Sequence, residues 1–103
     1  MIDYKHPIIV EMKGKYTKSR EAYNLADDHQ RIGLGDARQL FEDAHTKLAG
    51  AETAVYGLRD KMKAASGLSP DEREHHLYFM DRYLGRIRVL LRKTRKHLDG
   101  TKV

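Results

Sequence analysis

Hydrophobic residues recur along most of this chain at alternating steps of four and three. In the middle third, Ala37, Phe41, Ala44, Leu48, Ala51, Val55, Leu58, Met62 and Ala65 form one such row. Leu77, Met80, Leu84, Ile87, Leu91, Thr94 and Leu98 form another, and Ile9, Met12, Tyr16, Ser19, Tyr23 and Ala26 a weaker third. A period near 3.5 residues keeps one stripe of a helix turned toward a neighbour over many turns, as in coiled coils and bundles. Two breaks, Ile32-Gly33-Leu34-Gly35-Asp36 and Ser66-Gly67-Leu68-Ser69-Pro70, combine helix-stopping glycines with capping residues for the next segment. Ser69-Pro70-Asp71-Glu72 reads as a capping box with proline at the first helical position, and Asp36 to Gln39 as a weaker version. The pattern predicts an all-α fold, an antiparallel up-down-up three-helix bundle with helices over about 7–31, 36–66 and 70–98. One domain is expected over 1–103, with a short disordered tail at about 100–103.

Turns and stripes make separate statements about register, and the two agree. Antiparallel neighbours pair residues whose numbers have a constant sum set by the turn. The first turn brings Tyr16 to Ala51 and Tyr23 to Ala44; the second brings Ala51 to Leu84 and Phe41 to Thr94. Large residues thereby meet small ones, as close packing at native density requires. Tyr16, Tyr23, Met12, Met62 and Met80 are accordingly expected in the core, with the tyrosine hydroxyls led out to the bundle edge.

Composition leaves this reading lean. Leu, Ile, Val and Phe number 22 of 103 residues, close to the level at which a charged chain stops burying a core, so the fold rests on spacing more than on hydrophobic content. Runs of large apolar residues are short, as in Ile8-Ile9-Val10, so neither a membrane span nor a secretory leader is expected, and a cytoplasmic location is. The absence of cysteine removes disulfides and thiolate chemistry.

Catalytic and metal motifs are sparse. Glu42 with His45 and Glu72 with His75 have the Glu-x-x-His spacing of carboxylate metal bundles, but they begin opposite ends of the expected bundle and flank its seams. His75-His76 points two rings about 100° apart, a poor chelate. Gly33-Leu34-Gly35 lacks the strand and third glycine of a dinucleotide loop, and Ser19, Ser66 and Ser69 lack a triad. No catalytic residue, metal, cofactor or small-molecule substrate is expected, and the protein is read as non-enzymatic.

Two features exceed what a core needs. Phe79, Tyr83, Arg86, Leu90, Lys93 and His97 form a second stripe on the third helix, widened by Tyr78 and Val89 and rimmed by Arg82. Either the first helix leans across this strip or it stays exposed and meets a partner. The expected protein-binding residues are Phe79, Arg82, Tyr83, Arg86, Leu90 and Lys93. The occupant would be a larger protein, making the chain an adaptor, inhibitor or accessory regulator, or a second copy in a homo-oligomer. The net charge of +5 is also uneven: residues 69–103 carry nine basic against five acidic side chains. Arg86, Arg88, Arg92, Lys93, Arg95 and Lys96 lie in a stretch without acids, and the alternative function is sequence-independent binding of nucleic-acid phosphates through these six, with Tyr83 or Phe79 stacking on bases. Acids at the start of the second helix and the end of the first (Asp27, Asp28, Asp36, Glu42, Asp43) are expected to balance much of that run. A fainter small-residue strip, Gly50, Ala54 and Gly57, marks the outer side of the second helix.

Overall fold

The computed structural model describes residues 3–100 and, among these, consists of three helices. They are α1 (Pro7–Arg31), α2 (Ala37–Ala64) and α3 (Pro70–Gly100), in an antiparallel up-down-up bundle about 53 Å long. The expected tail lies outside the described residues except for Gly100, which is the last residue of α3. α2 stops short of its expected end because Ala65 turns to an extended conformation (φ −64°, ψ 136°).

The helix ends follow local chemistry, with one departure from the sequence reading. At the end of α1, Gly33 takes a left-handed φ of 76°. This lets the Gly33 N–H donate to the Gln30 carbonyl (3.1 Å) and the Leu34 N–H to His29 (2.9 Å), the paired bonds of a Schellman stop. Asp36 sits at the N-cap of α2 but makes no side-chain cap, since its carboxylate accepts instead from His29 Nδ1 at 2.8 Å across the turn. The weaker capping box expected there is thus replaced by a hydrogen bond across the turn. At α3 the expected box forms in full: the Glu72 N–H donates to Ser69 Oγ and the Ser69 N–H donates to Glu72 Oε1, both at 3.1 Å. Arg73, one residue on, donates to the carbonyls of Met62 and Ala65 at the end of α2. At the other end of the bundle Arg38 donates to the Leu98 carbonyl near the end of α3 (3.2 Å).

The core is the set of stripes read from the sequence. Ile9, Met12, Tyr23 and Ala26 of α1, Phe41 through Met62 of α2, and Met80, Leu84, Ile87 and Leu91 of α3 are buried in one cluster. Ser19 and Thr94 are buried as well, their hydroxyls donating to the Tyr16 and Leu90 carbonyls. Tyr16, Ala37, Ala65, Leu77 and Leu98, at the margins of the stripes, are half-buried. Cross-helix pairs confirm the register, because along α3 Arg73, Asp81, Arg88 and Arg95 meet Met62, Arg59, Glu52 and His45 in descending order.

The three interfaces are unequal. α1 and α3 each lie close against α2, whereas they approach each other sparsely. Side-chain size explains this: Ser19 and Ala26 of α1 and Ala44 and Ala51 of α2 are small and buried, but α1 meets α3 largely through rings. Tyr16 contacts Tyr83 edge-on (centroids 5.1 Å apart), and Tyr23 and Phe41 both meet His97.

His76 is the core residue the stripes did not include. It is fully buried, its Nε2 accepts the Asp3 backbone N–H (3.1 Å), and its Nδ1 therefore carries the proton donated to the Glu72 carbonyl. Among the described residues no buried side-chain nitrogen or oxygen lacks a partner.

Two stability outcomes follow from this packing. Ala51→Leu forces bulk into the tight layer between α1 and α2 and is expected to cost about 1–3 kcal/mol in urea unfolding. Gly57→Ala, whose added Cβ meets nothing within 4 Å, is expected to stabilise by up to about 1 kcal/mol. The capping box gives a pH dependence. Hydrogen bonds from Ser69 hold the Glu72 carboxyl below its ordinary pKa. Its contribution is thus present above the ordinary carboxylate range and lost as pH falls through the depressed folded value. Glu72→Gln keeps an acceptor without the charge, so melting temperatures of the two proteins should differ most near neutrality and converge in acid.

Candidate protein-interaction face

The second stripe of α3 divides in two when α1 packs beside it. Phe79, Tyr83, Leu90 and His97 turn toward α1 and are half-buried. Tyr4 meets Phe79 edge-on at 5.3 Å, Phe79 lies 5.0 Å from Tyr83, and Tyr83 continues to Tyr16, giving a chain of four rings along the seam. Cations cover this chain: Lys13 sits 4.6 Å from the Tyr4 centroid, Arg20 5.4 Å from Tyr16 and Arg86 5.0 Å from Tyr83. Phe79 and Tyr83 are therefore engaged within the bundle.

The other part of the stripe faces away from the bundle. Arg82, Arg86, Val89, Arg92 and Lys93 are exposed on the outer side of α3, with Tyr78 66% and Val89 38% exposed. A shallow depression of about 620 Å³ opens among Tyr16, Arg82, Gly85, Arg86, Val89, Leu90 and Arg92. Its floor is apolar, its rim carries three guanidinium groups, and no acidic residue lines it. A smaller depression on the α2 side is lined by Glu52, Arg88, Leu91, Arg92, Arg95 and, again, Gly85. Sequence reading placed Arg82, Arg86 and Leu90 at this site but missed Gly85 and Tyr16. The signal for Gly85 was present, since a glycine in the middle of a helix with open space over its Cα weakens the helix for no reason internal to the bundle.

The basic run is not balanced as expected. Asp27 and Asp28 pair with Arg31 of their own helix, Asp36 with His29 and Glu42 with Arg38. Of the six cations from Arg86 to Lys96, Arg88 reaches Glu52 at 3.3 Å and Arg95 donates to His45 at 3.4 Å. Among the described residues Arg82, Arg86, Arg92, Lys93 and Lys96 form no ion pair. Lys93 and Lys96 flank a separate recess with Tyr23, Asp27 and His97 at the end of the bundle.

The Glu-x-x-His pairs are drawn into local contacts: Glu72 into the α3 cap, Glu42 to Arg38, and His45 to Arg95. Among the described residues no three metal-ligating side chains gather, and no helix is long and apolar enough to cross a membrane. The small-residue strip of α2 lies open: Gly50 and Ala54 floor a groove against Ala22 and Leu25 of α1.

The division of the stripe is measurable. Tyr83→Ala is expected to lower unfolding free energy by about 1–3 kcal/mol, because its ring packs against the core. Arg82→Ala and Val89→Ala, on the outer side, should stay within about 0.5 kcal/mol of the parent. Comparison with protein-family models, curated proteins and solved structures finds no match to this chain.

Proposed function

We propose that this chain is a non-enzymatic binding module that docks a protein partner through the outer face of α3, acting as an adaptor, inhibitor or accessory regulator. The observation that carries this reading is the apolar depression on α3 ringed by Arg82, Arg86 and Arg92, none of which has an ion-pair partner within the described chain. Arginine around an apolar centre is the composition of energetically important interface patches: the apolar part supplies area, and the planar guanidinium supplies several directed hydrogen bonds. The non-enzymatic reading is supported by the commitment of Glu42, Glu72 and His45 to contacts within the bundle.

A second reading, phosphate binding by the basic end of α3, draws support from Arg92, Lys93 and Lys96, whose charges the neighbouring acids leave unbalanced. The aromatic residues favour the protein reading, since Tyr83 is already met by Tyr16, Phe79 and Arg86 and is poorly placed to stack on a base.

A photo-crosslinking side chain placed at Val89, with a control at exposed Asp60 of α2, tests the docking face in extract from the source cells. Discrete protein adducts from position 89 and none from position 60 are expected. Adducts to nucleic acid alone, abolished by nuclease, would transfer the assignment to phosphate binding, and equal labelling from both positions would remove it.

A further inference from the structure

The outer ridge of α3 has the form of a helix-docking surface. Arg82, Gly85, Arg86 and Val89 stand at positions i, i+3, i+4 and i+7, the four corners of the hole that receives a knob in coiled-coil packing. Gly85, Arg88, Val89 and Arg92 repeat the same figure one step along, so two consecutive holes share the Gly85 to Val89 edge. Gly85 makes both deep: it brings no side chain to either, nothing lies within 4 Å of where its Cβ would stand, and both depressions on α3 include it. Val89 is the other shared corner, and arginine side chains stand at the rest.

We propose that the partner segment is an acidic amphipathic helix laid along α3, with apolar knobs in the two holes that meet at Gly85 and carboxylates on Arg82, Arg86 and Arg92. This rests on the docking face proposed above and fixes the chemistry of what it takes. Two holes in helical register select a helix, because an extended segment repeats every two residues and finds no matching sites on a helix surface. Unpaired guanidinium groups on the rim select carboxylates, which they bind in a planar, two-pronged geometry. A second copy of this chain is disfavoured: a face-to-face contact would set Arg82, Arg86 and Arg92 of both protomers against one another, in a protein of net charge +5.

The test uses the full chain and three labelled 21-residue peptides in fluorescence anisotropy. One carries a heptad apolar stripe flanked by glutamates, one has the same composition with the heptad order scrambled, and one has lysines in place of the glutamates. The acidic heptad peptide should bind at least ~10-fold more tightly than either of the others. Gly85→Leu, which fills both holes, and Arg86→Glu, which reverses the rim, should each weaken that binding at least ~10-fold. Gly85→Leu should do so while melting no lower than the parent protein, so that lost binding is not lost folding. Amide shifts on titration should centre on residues 82–92. Equal binding of the scrambled acidic peptide would reduce the effect to charge and overturn the proposal. So would unchanged affinity in Gly85→Leu, or no binding of the heptad peptide. If the peptide fails while position 89 still crosslinks to protein in extract, the docking face stands and the acidic helix is the part that falls; if neither forms, both fall.

Discussion

The closeness with which α1 can lie against α2 governs the rest of this molecule. Small residues make it possible, since Ala44 and Ala51 on α2 and Ser19 and Ala26 on α1 are all buried where the two helices meet. With that interface tight, the large residues of α1 reach past α2 toward α3. Tyr16 meets Tyr83 and Tyr23 meets His97, and these rings hold α1 and α3 apart. α3 consequently touches the bundle along α2 and along a line of aromatics, and the side of α3 beside Tyr16 is left uncovered with an arginine-edged trough. The exposed face is thus a consequence of how volume is distributed through the core.

Charge is arranged by the same geometry. Acids near the turns are taken by Arg31, His29 and Arg38 of α1 and α2, because those partners are fixed within one helical turn or across a short loop. Contacts of this exposed kind contribute about 0–1 kcal/mol each, so their weight lies in shaping the field more than in holding the fold. Once these acids are occupied, the outer side of α3 keeps its positive charge. Arg38 and Arg73 do a different job at opposite ends of the bundle, each donating to carbonyls at the C-terminal end of a neighbouring helix and so tying that end to its neighbour.

Much of the fold was legible in the sequence, because heptad spacing and turn chemistry report directly on which residues face inward. Thr94 is buried in the α3 stripe as expected, whereas Tyr23, expected opposite Ala44, also sets its ring edge-on to Phe41 one turn away. What stayed hidden depended on more than one helix. His76 falls just outside the α3 stripe, and it is buried because the chain ahead of α1 folds over it, a contact between residues 73 positions apart. Asp36 matches an N-cap pattern, yet His29 across the turn offers its carboxylate a hydrogen-bond donor. The candidate face was visible as an unexplained stripe. Its division into an inward aromatic half and an outward arginine half was not, because that depends on how far α1 leans, which no spacing within α3 records.

The unequal interfaces also bear on how the chain reaches this state. Both close pairings, α1 with α2 and α2 with α3, join neighbours in sequence across short turns, so each closes a small loop at low entropic cost. α2 is common to both and acts as the template on which either hairpin condenses. The sparse contacts between α1 and α3, and the Asp3 to His76 bond made by the chain ahead of α1, span the longest loops and reward folding only after both hairpins stand. Such a topology, dominated by sequence-local contacts, favours rapid assembly and places the aromatic seam among the last elements to lock.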